Sequence, residues 1–319
     1  MKLGLLSTAR INDRIIEGAP EGVEIAAVAS RDGARAQAYA HEHGIPRSHA
    51  SYEALLADPE LDAVYISLPN GPHHEWTMKA LEAGKHVLAE KPYSRRPRDV
   101  EEAWDLAARE GLVVAEAFMW RHHPQARRAR ELVEEGAIGR LRLIHTTFSF
   151  PLFDLDSHRM RPELDGGALM DLGCYCISGA RLLGGEPESV LGEQVTGPTG
   201  VDVDFYATLR FPRDVVAQLD ASYTLPLRQR LTAVGQDGTL VLEAPWRSDW
   251  GGDVLVARGE KTERIAVPAA DSYRLELEDF AAAVRGERPP LLGREDALAQ
   301  ARVLEALYRS AETGTRVTL

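Results

Sequence analysis

The chain of 319 residues has only two cysteines, Cys174 and Cys176, two positions apart. That spacing makes them poor partners for each other. A disulfide-stapled scaffold is excluded, and nothing has the ligand spacing of a structural zinc site. Basic residues are outnumbered, 37 against 49 acidic ones, for a net charge of −12. This balance argues against general nucleic-acid binding, whose footprint is basic, and against docking on an anionic membrane surface. No stretch reaches the roughly 18 apolar residues of a membrane span. Met1 to Ile11 lacks the apolar core of a secretory signal, so the cytoplasm is the expected compartment. What remains is ordinary for a globular chain, 44% apolar and 27% charged. The length passes the roughly 250–300 residues at which one hydrophobic core stops growing, so two domains are expected.

The first third alternates strand and helix patterns. Short apolar runs stand at Leu3–Leu6, Val23–Ala29, Ala63–Leu68, His86–Ala89 and Leu112–Ala115. Nearly continuous apolar runs suit strands buried on both faces of a parallel sheet. Helix patterns lie between them at Ala34–His43, Tyr52–Ala57, His74–Ala83 and Arg98–Arg109. Repeated βα units imply a doubly wound α/β Rossmann domain over residues 1–120. Beyond it the pattern changes. A helix is expected at Gly167–Leu183. A series of strands joined by short turns runs from Ser189 to Val267, which favours antiparallel pairing. Residues 121–319 therefore read as an α+β domain with a large, mostly antiparallel open sheet, for substrate binding and oligomerisation. The C-terminal helix, Glu295–Thr313, is a candidate to pack back on the first domain.

A dinucleotide fold needs a tight turn after its first strand, where backbone N–H groups meet pyrophosphate. The candidate is Gly4-Leu-Leu-Ser7-Thr8-Ala9-Arg10-Ile11, with Ser7 and Ala9 where glycines are usual. An ordinary strand–loop–helix reads the same way. The end of the second strand carries Ser30-Arg31, with Arg35 one helical turn on. Arginine forks match phosphate oxygens, so the expected cofactor is NADP rather than NAD. Asp32 would favour NAD unless it caps the next helix.

Two segments carry reactive residues. Ala89-Glu90-Lys91-Pro92 follows the fourth strand, at the sheet edge where ligands of open α/β folds bind. Asp165-Gly-Gly-Ala-Leu-Met-Asp171-Leu-Gly173-Cys-Tyr175 places Asp171 and Tyr175 four apart, on one face of a helix. Gly173 inside that helix suggests close approach by a ligand or another backbone.

Together these segments resemble the Gfo/Idh/MocA family of nicotinamide-dependent oxidoreductases. The resemblance rests on Gly4–Asn12, Ser67–Pro92, Gly166–Tyr175 and Leu277–Pro289, and covers nearly the whole chain. Many members have histidine where this chain has Tyr175. Tyrosine is similar to the branch of dihydrodiol dehydrogenases, NADP-dependent D-xylose dehydrogenases, glucose–fructose oxidoreductase and some nucleotide-sugar ketoreductases. That branch implies Lys91 and Tyr175 as the catalytic pair, and Asp171 as a contact to substrate hydroxyls or to the lysine. The expected reaction is hydride transfer between nicotinamide and a sugar or related polyol, with Tyr175 moving the proton and Lys91 supplying positive charge. Alternatives are a trans-dihydrodiol dehydrogenase, a nucleotide-sugar ketoreductase, or a non-catalytic dinucleotide sensor.

Further candidates surround this pair. Leu68, Pro69, Asn70, His73 and Glu90 are expected on the nicotinamide side of the cofactor, with His74 as an alternative to His73. Trp120 and Arg121 open the second domain and are further cofactor-binding candidates. Trp120 would stack on cofactor or substrate, or pack in a core. Arg159 and Arg161 would clamp substrate, and Trp246 and Trp250 would form an aromatic wall. No metal site is expected at His122-His123, which lacks completing ligands. The expected partners are a small sugar or polyol and further copies of the chain, as a homodimer or homotetramer.

Overall fold

A computed structural model describes residues 1–247 and 252–319. The chain divides into two compact units. One comprises Met1–Met119 with Tyr273–Leu298, the other Trp120–Ser272 with Ala299–Leu319.

The first unit opens with β1 (Lys2–Leu5), α1 (Asn12–Gly18), β2 (Glu24–Ala29), α2 (Gly33–His43), β3 (Arg47–His49), α3 (Tyr52–Leu56) and β4 (Ala63–Ile66). It continues through α4 (His73–Glu82), β5 (His86–Glu90), α5 (Pro97–Glu110) and β6 (Val114–Ala117). The six strands form one parallel sheet in the order β3-β2-β1-β4-β5-β6. Strand order reverses between β1 and β4, and ligands of open α/β sheets bind at such a switch point. The apolar runs expected as strands form this sheet, and β4 is buried along its whole length. The last run is displaced by two residues, since β6 is Val114–Ala117. The short polar β3 carries no apolar signal and was not legible.

The second unit holds α6 (Pro124–Glu134), β7 (Leu141–Ser149) and α7 (Cys174–Gly184). Then follow β8 (Ser189–Thr196), β9 (Asp202–Phe211), β10 (Val215–Ser222), β11 (Arg228–Gly235), β12 (Thr239–Leu242), β13 (Val254–Arg258) and β14 (Lys261–Ile265). After α8 (Ser272–Val284) and α9 (Arg294–Thr313) the chain closes with β15 (Val317–Thr318). The nine strands order as β14-β13-β12-β11-β7-β10-β9-β8-β15. All pairs are antiparallel except β7 with β10. The alternating burial of β9, β10 and β11 gives this sheet one covered face. Helix α7 lies on that face. Gly179 packs against Leu231 and Trp246, and Gly184 against Phe211. Helix α9 adds to the cover. Gln300 donates to the Cys174 carbonyl at 2.9 Å, and Ser310 accepts from Gly192 N–H at 2.9 Å.

In the first unit α8 packs on the parallel sheet. Leu277, Phe280 and Ala281 share a core with Leu3, Leu5, Tyr65, Leu88, Ala115 and Ala117. No helix among the described residues is long and apolar enough to cross a membrane.

Candidate active site

The cofactor candidates gather at the C-terminal edge of the parallel sheet. Gly4 lies inside β1, against the Leu61 and Leu55 side chains. The turn after β1 is tied to the one after β4, because Ser7 Oγ donates to the Ser67 carbonyl (3.1 Å) and lies 2.7 Å from Ser67 Oγ. Asn12 Nδ2 donates to the Ser7 carbonyl at 2.7 Å, and Ala9 N–H to Ser7 Oγ at 3.1 Å. Ser7 is thus an internal brace of its turn. Thr8, Ala9 and Ile11 are partly exposed and Arg10 is exposed.

At the end of β2, Ser30 Oγ accepts from Asp32 N–H at 3.2 Å. Asp32 caps α2, accepting from Ala34 N–H (3.0 Å) and Arg35 N–H (3.2 Å). Arg31 and Arg35 stay exposed. Burial pushes the Tyr52 phenol above its usual value, and the charges of Arg31 and Arg35 pull against it. Two guanidinium groups therefore act on one phenol, while the adjacent carboxylate is spent on a helix cap. That donor set fits a phosphate.

The segment bearing Lys91 is fastened at the Lys91 N–H, the Pro92 carbonyl and the Tyr93 N–H. Glu90 accepts from the Tyr65 hydroxyl with Oε1 and from Lys91 N–H with Oε2, the latter at 3.2 Å. His73 bridges two loops, with Nδ1 3.0 Å from the Pro92 carbonyl and Nε2 2.8 Å from the Leu68 carbonyl. Burial lowers the His73 pKa and outweighs the two carbonyls, which favour the charged ring; the Lys91 ammonium adds to the lowering. Tyr93 N–H donates to Glu116 Oε1 at 2.7 Å, and the Tyr93 hydroxyl meets His74 Nδ1 at 3.0 Å. His74 Nε2 lies 3.3 Å from Glu102. Both histidines thus hold the loop. Leu68, Pro69, Asn70 and Lys91 are partly exposed along this edge.

Behind the loop sits Glu276 on α8, 1% exposed, with no partner for either carboxylate oxygen. Burial, then the charge of Glu90, push its carboxyl well above the usual range.

Tyr175 stands at the head of α7. The helix expected from Gly167 begins instead as a π-helical turn, Leu169–Gly173, in which Cys174 N–H reaches the Leu169 carbonyl. Such turns recur at functional sites. The step from Asp171 to Tyr175 therefore crosses from a π turn into an α-helix. The two glycines before it are demanded by space. A Cβ on Gly166 would lie 2.4 Å from the Arg159 carbonyl oxygen. Gly167 has φ of +123°, and a Cβ there would lie 2.1 Å from Asp202 Oδ1. Asp202 in turn accepts from Leu169 N–H at 2.7 Å and from the Tyr308 hydroxyl at 3.0 Å. Gly173 meets Leu169 and Ala221, so its closeness is to the sheet.

The Tyr175 ring packs on Phe148 at 5.5 Å and on Trp246 at 5.9 Å, and Trp246 meets Trp120 edge-on at 4.9 Å. Trp120 is buried and its indole N–H has no partner. Asp171 Oδ2 accepts from Arg159 Nε at 2.7 Å and lies 3.1 Å from the Tyr223 hydroxyl, whose single proton also has the Gly167 carbonyl within 3.1 Å. Asp171 raises the Arg159 pKa against the opposing effect of burial, and Tyr223 and Tyr175 add to the rise. This puts a cation in the electrostatic surroundings of Tyr175. Arg121 lies 5.8 Å above the Trp120 ring and 3.4 Å from Ser178 Oγ. Arg161 is exposed, and Trp250 lies outside the described residues.

Sequence reasoning missed Tyr223, Asp202, Tyr65, Glu276 and Gln229. Gln229 on β11 is 9% exposed, and neither its amide nitrogen nor its oxygen has a partner. A buried polar group left unpaired costs about 1–3 kcal/mol. No local pattern announces any of these residues, because their partners or neighbours are distant in the chain.

Comparison with known proteins bears on this geometry. Residues 8–118 match the oxidoreductase family with an NAD-binding Rossmann fold, and residues 126–241 match the GFO/IDH/MocA C-terminal domain. The chain is 39% identical to D-xylose 1-dehydrogenase (NADP(+)) 2 of Haloferax volcanii over 325 aligned positions, covering 100% of both proteins. It is 39% identical to a dTDP-3,4-didehydro-2,6-dideoxy-alpha-D-glucose 3-reductase of Streptomyces violaceoruber, over 82% of this chain and 78% of that one. Among solved structures, aldose-aldose oxidoreductase from Caulobacter crescentus superposes with a TM-score of 0.91 at 27% identity, over 100% of this chain and 99% of that one. A 3-ketoreductase from Actinomadura kijaniata, in complex with NADP and TDP-benzene, gives 0.92 at 31% identity over 97% of each chain. Both halves of the sequence and both folds thus lead to one conclusion: the chain belongs to the Gfo/Idh/MocA family of NAD(P)-dependent oxidoreductases.

Proposed function

We propose that the protein is an NADP-dependent dehydrogenase that oxidises an aldose at C1, with Lys91 and Tyr175 as its catalytic pair. The observation that carries the reading is the retention of both residues in built settings. Lys91 lies at the edge of the parallel sheet, on a loop fixed by His73 and Glu90. Tyr175 lies at the head of a helix, on an aromatic bed. Identity with the xylose dehydrogenase over the full length of both chains supports the substrate class.

Nicotinamide, when bound, supplies the hydride acceptor. The turn at Ser7–Ile11 receives the pyrophosphate, and Gly4 packs within β1 ahead of it. Ser30, Arg31 and Arg35 receive the 2′-phosphate, and Leu68, Pro69, Asn70 and Glu90 border the nicotinamide side. Tyr175 Oη takes the proton of the sugar hydroxyl as its carbon is oxidised. Lys91 Nζ stabilises the negative charge that develops on the oxygen atoms during that transfer. Asp171, oriented by Arg159 and Tyr223, faces substrate hydroxyls; Trp120 and Arg121 line the same site. Arg161 stands at its rim.

The test is reduced-nicotinamide formation by the purified protein with NADP⁺ or NAD⁺ and a panel of aldoses. Turnover of an aldose with NADP⁺ is expected. Replacing Arg31 and Arg35 by serine should cut the preference for NADP⁺ by about 10–100-fold, the scale of losing bidentate phosphate bonds. Reduction of a keto group on a nucleotide-linked sugar, with no aldose turned over, would favour the second reading that the Streptomyces relative supports.

The sheet face away from α7 exposes Leu191, Val195 and Tyr206, and a second copy of the chain is the occupant proposed for it. Light scattering should give two or four times 35.1 kDa; a monomer mass would refute this.

A further inference from the structure

The covered face of the nine-stranded sheet carries a row of side chains level with Tyr175. Strand register aligns Phe205 with Ala221, Ala221 with Phe148, and Phe148 with Gln229. Gly173 stands over Ala221, and the Tyr175 ring rests on Phe148. Gln229 therefore occupies the fourth place of a row that lies under the first turn of α7. It is the only polar side chain of these four; past Phe205 the register continues to Gln194 on β8. The next row on the same face holds Leu219, Thr146 and Leu231.

A leucine at 229 would match its neighbour Leu231 in kind and leave nothing unsatisfied. The chain places an amide there instead, nine-tenths buried, with both polar atoms unpartnered. Such a group persists in a folded protein when something else completes it. A primary amide offers one acceptor and two donors in a plane, with no charge. That is complementary to two neighbouring hydroxyls of a neutral sugar, and poorly matched to a phosphate or a carboxylate.

We propose that Gln229 is a specificity-determining residue that hydrogen-bonds hydroxyl groups of a sugar held beside Tyr175. This rests on the sugar-dehydrogenase reading and names a group that selects among sugars. The bond favours pentoses or hexoses with a hydroxyl at the position the amide reaches, and disfavours their deoxy counterparts.

The test compares wild type with Gln229→Leu on D-xylose and its monodeoxy derivatives, with NADP⁺. Wild type should lose at least tenfold in kcat/KM on one derivative. Gln229→Leu should lose about 10–100-fold on D-xylose, mostly through KM, and should treat xylose and that derivative alike. Its Tm should stay level or rise, because the variant removes an unpaired buried amide. An unchanged deoxy profile overturns the proposal. So does a fall in Tm with an equal loss on every sugar, which marks a structural role. Calorimetric titration of D-xylose in the presence of NADP⁺ separates the two levels. Binding without turnover by wild type breaks only the dehydrogenase reading, and binding as tight in Gln229→Leu as in wild type breaks the assignment to Gln229.

Discussion

Around Lys91 the loop is held by side chains bonded to its backbone, whereas the Tyr175 ring lies on an aromatic bed, in a turn held by both shape and hydrogen bonds. Glu90, His73 and Glu116 take up the polar groups of residues 91–93, and each of those bonds is buried or nearly so. The Tyr175 ring leans on Phe148 and Trp246, and its turn is set both by what fits against Gly166 and Gly167 and by the bonds of Asp202 and Tyr223. A hydrogen-bonded clamp fails abruptly, because removing one partner leaves another unsatisfied. A packed bed tolerates isosteric change. Position is secured at both places, but the two should break differently.

The largest effects should fall on chemistry. Lys91→Ala and Tyr175→Phe should each lower kcat by about 10²–10⁴, a general acid–base magnitude. Tyr175→Phe should do so with Tm shifted by less than about 2 °C, since the ring and its packing remain. A large drop in its Tm would mean that the hydroxyl, and not the ring, holds the turn.

His73→Ala should come next. It removes a ring that lies against two carbonyls and, when neutral, donates to one of them, and it opens a cavity, at a cost of about 2–4 kcal/mol. Because it loosens the loops after β4 and β5 together, kcat/KM should fall about tenfold as well. Phe148→Leu, the matching change in the packed bed, should cost about 1–1.5 kcal/mol and leave kcat within a few-fold. Equal losses in the two variants, by thermal unfolding and steady-state kinetics, would erase the distinction.

The pH dependence of stability gives two smaller effects of opposite sign. The folded pKa of His73 is lowered below its ordinary value of 6.5. The unfolded chain then binds more protons as pH falls below about 6.5, so this stabilisation is lost on acidification. Glu276 has its folded pKa raised above the ordinary 4.5. The folded chain then keeps a proton that the unfolded chain releases, so this stabilisation is lost as pH rises above about 4.5. Glu276→Gln should remove that second slope, worth up to about 1.4 kcal/mol per pH unit for one proton. Denaturant midpoints measured between pH 5 and pH 8 would show it. An unchanged slope would mean that Glu276 does not carry the proton.

The two regions also differ in how much of them the sequence announced. The strand-edge lysine was legible because a buried apolar strand leads straight into Glu90-Lys91-Pro92. The parallel order of the sheet followed from the same runs. The turn bearing Tyr175 was legible as a motif but not as a shape. The i,i+4 spacing of Asp171 and Tyr175 implied a plain helix, and the π turn depends on packing over the sheet. His73 read as a histidine at a helix start, and its clamp joins Leu68 to Pro92. Tyr223 and Asp202 are 52 and 33 positions from the groups they bond. Glu276 and Gln229 sit in apolar patterns where a polar residue gives no sign of its surroundings until the chain is folded.

The most direct test of the central claim is the rate of NADPH formation from an aldose by wild type, Lys91→Ala, Tyr175→Phe and the double variant. If the two side chains act as one unit, each single variant falls at least about 100-fold and the double variant falls no further than the slower single. A single variant that keeps wild-type turnover, or losses that multiply in the double variant, would contradict the assignment of Lys91 and Tyr175 as one catalytic pair.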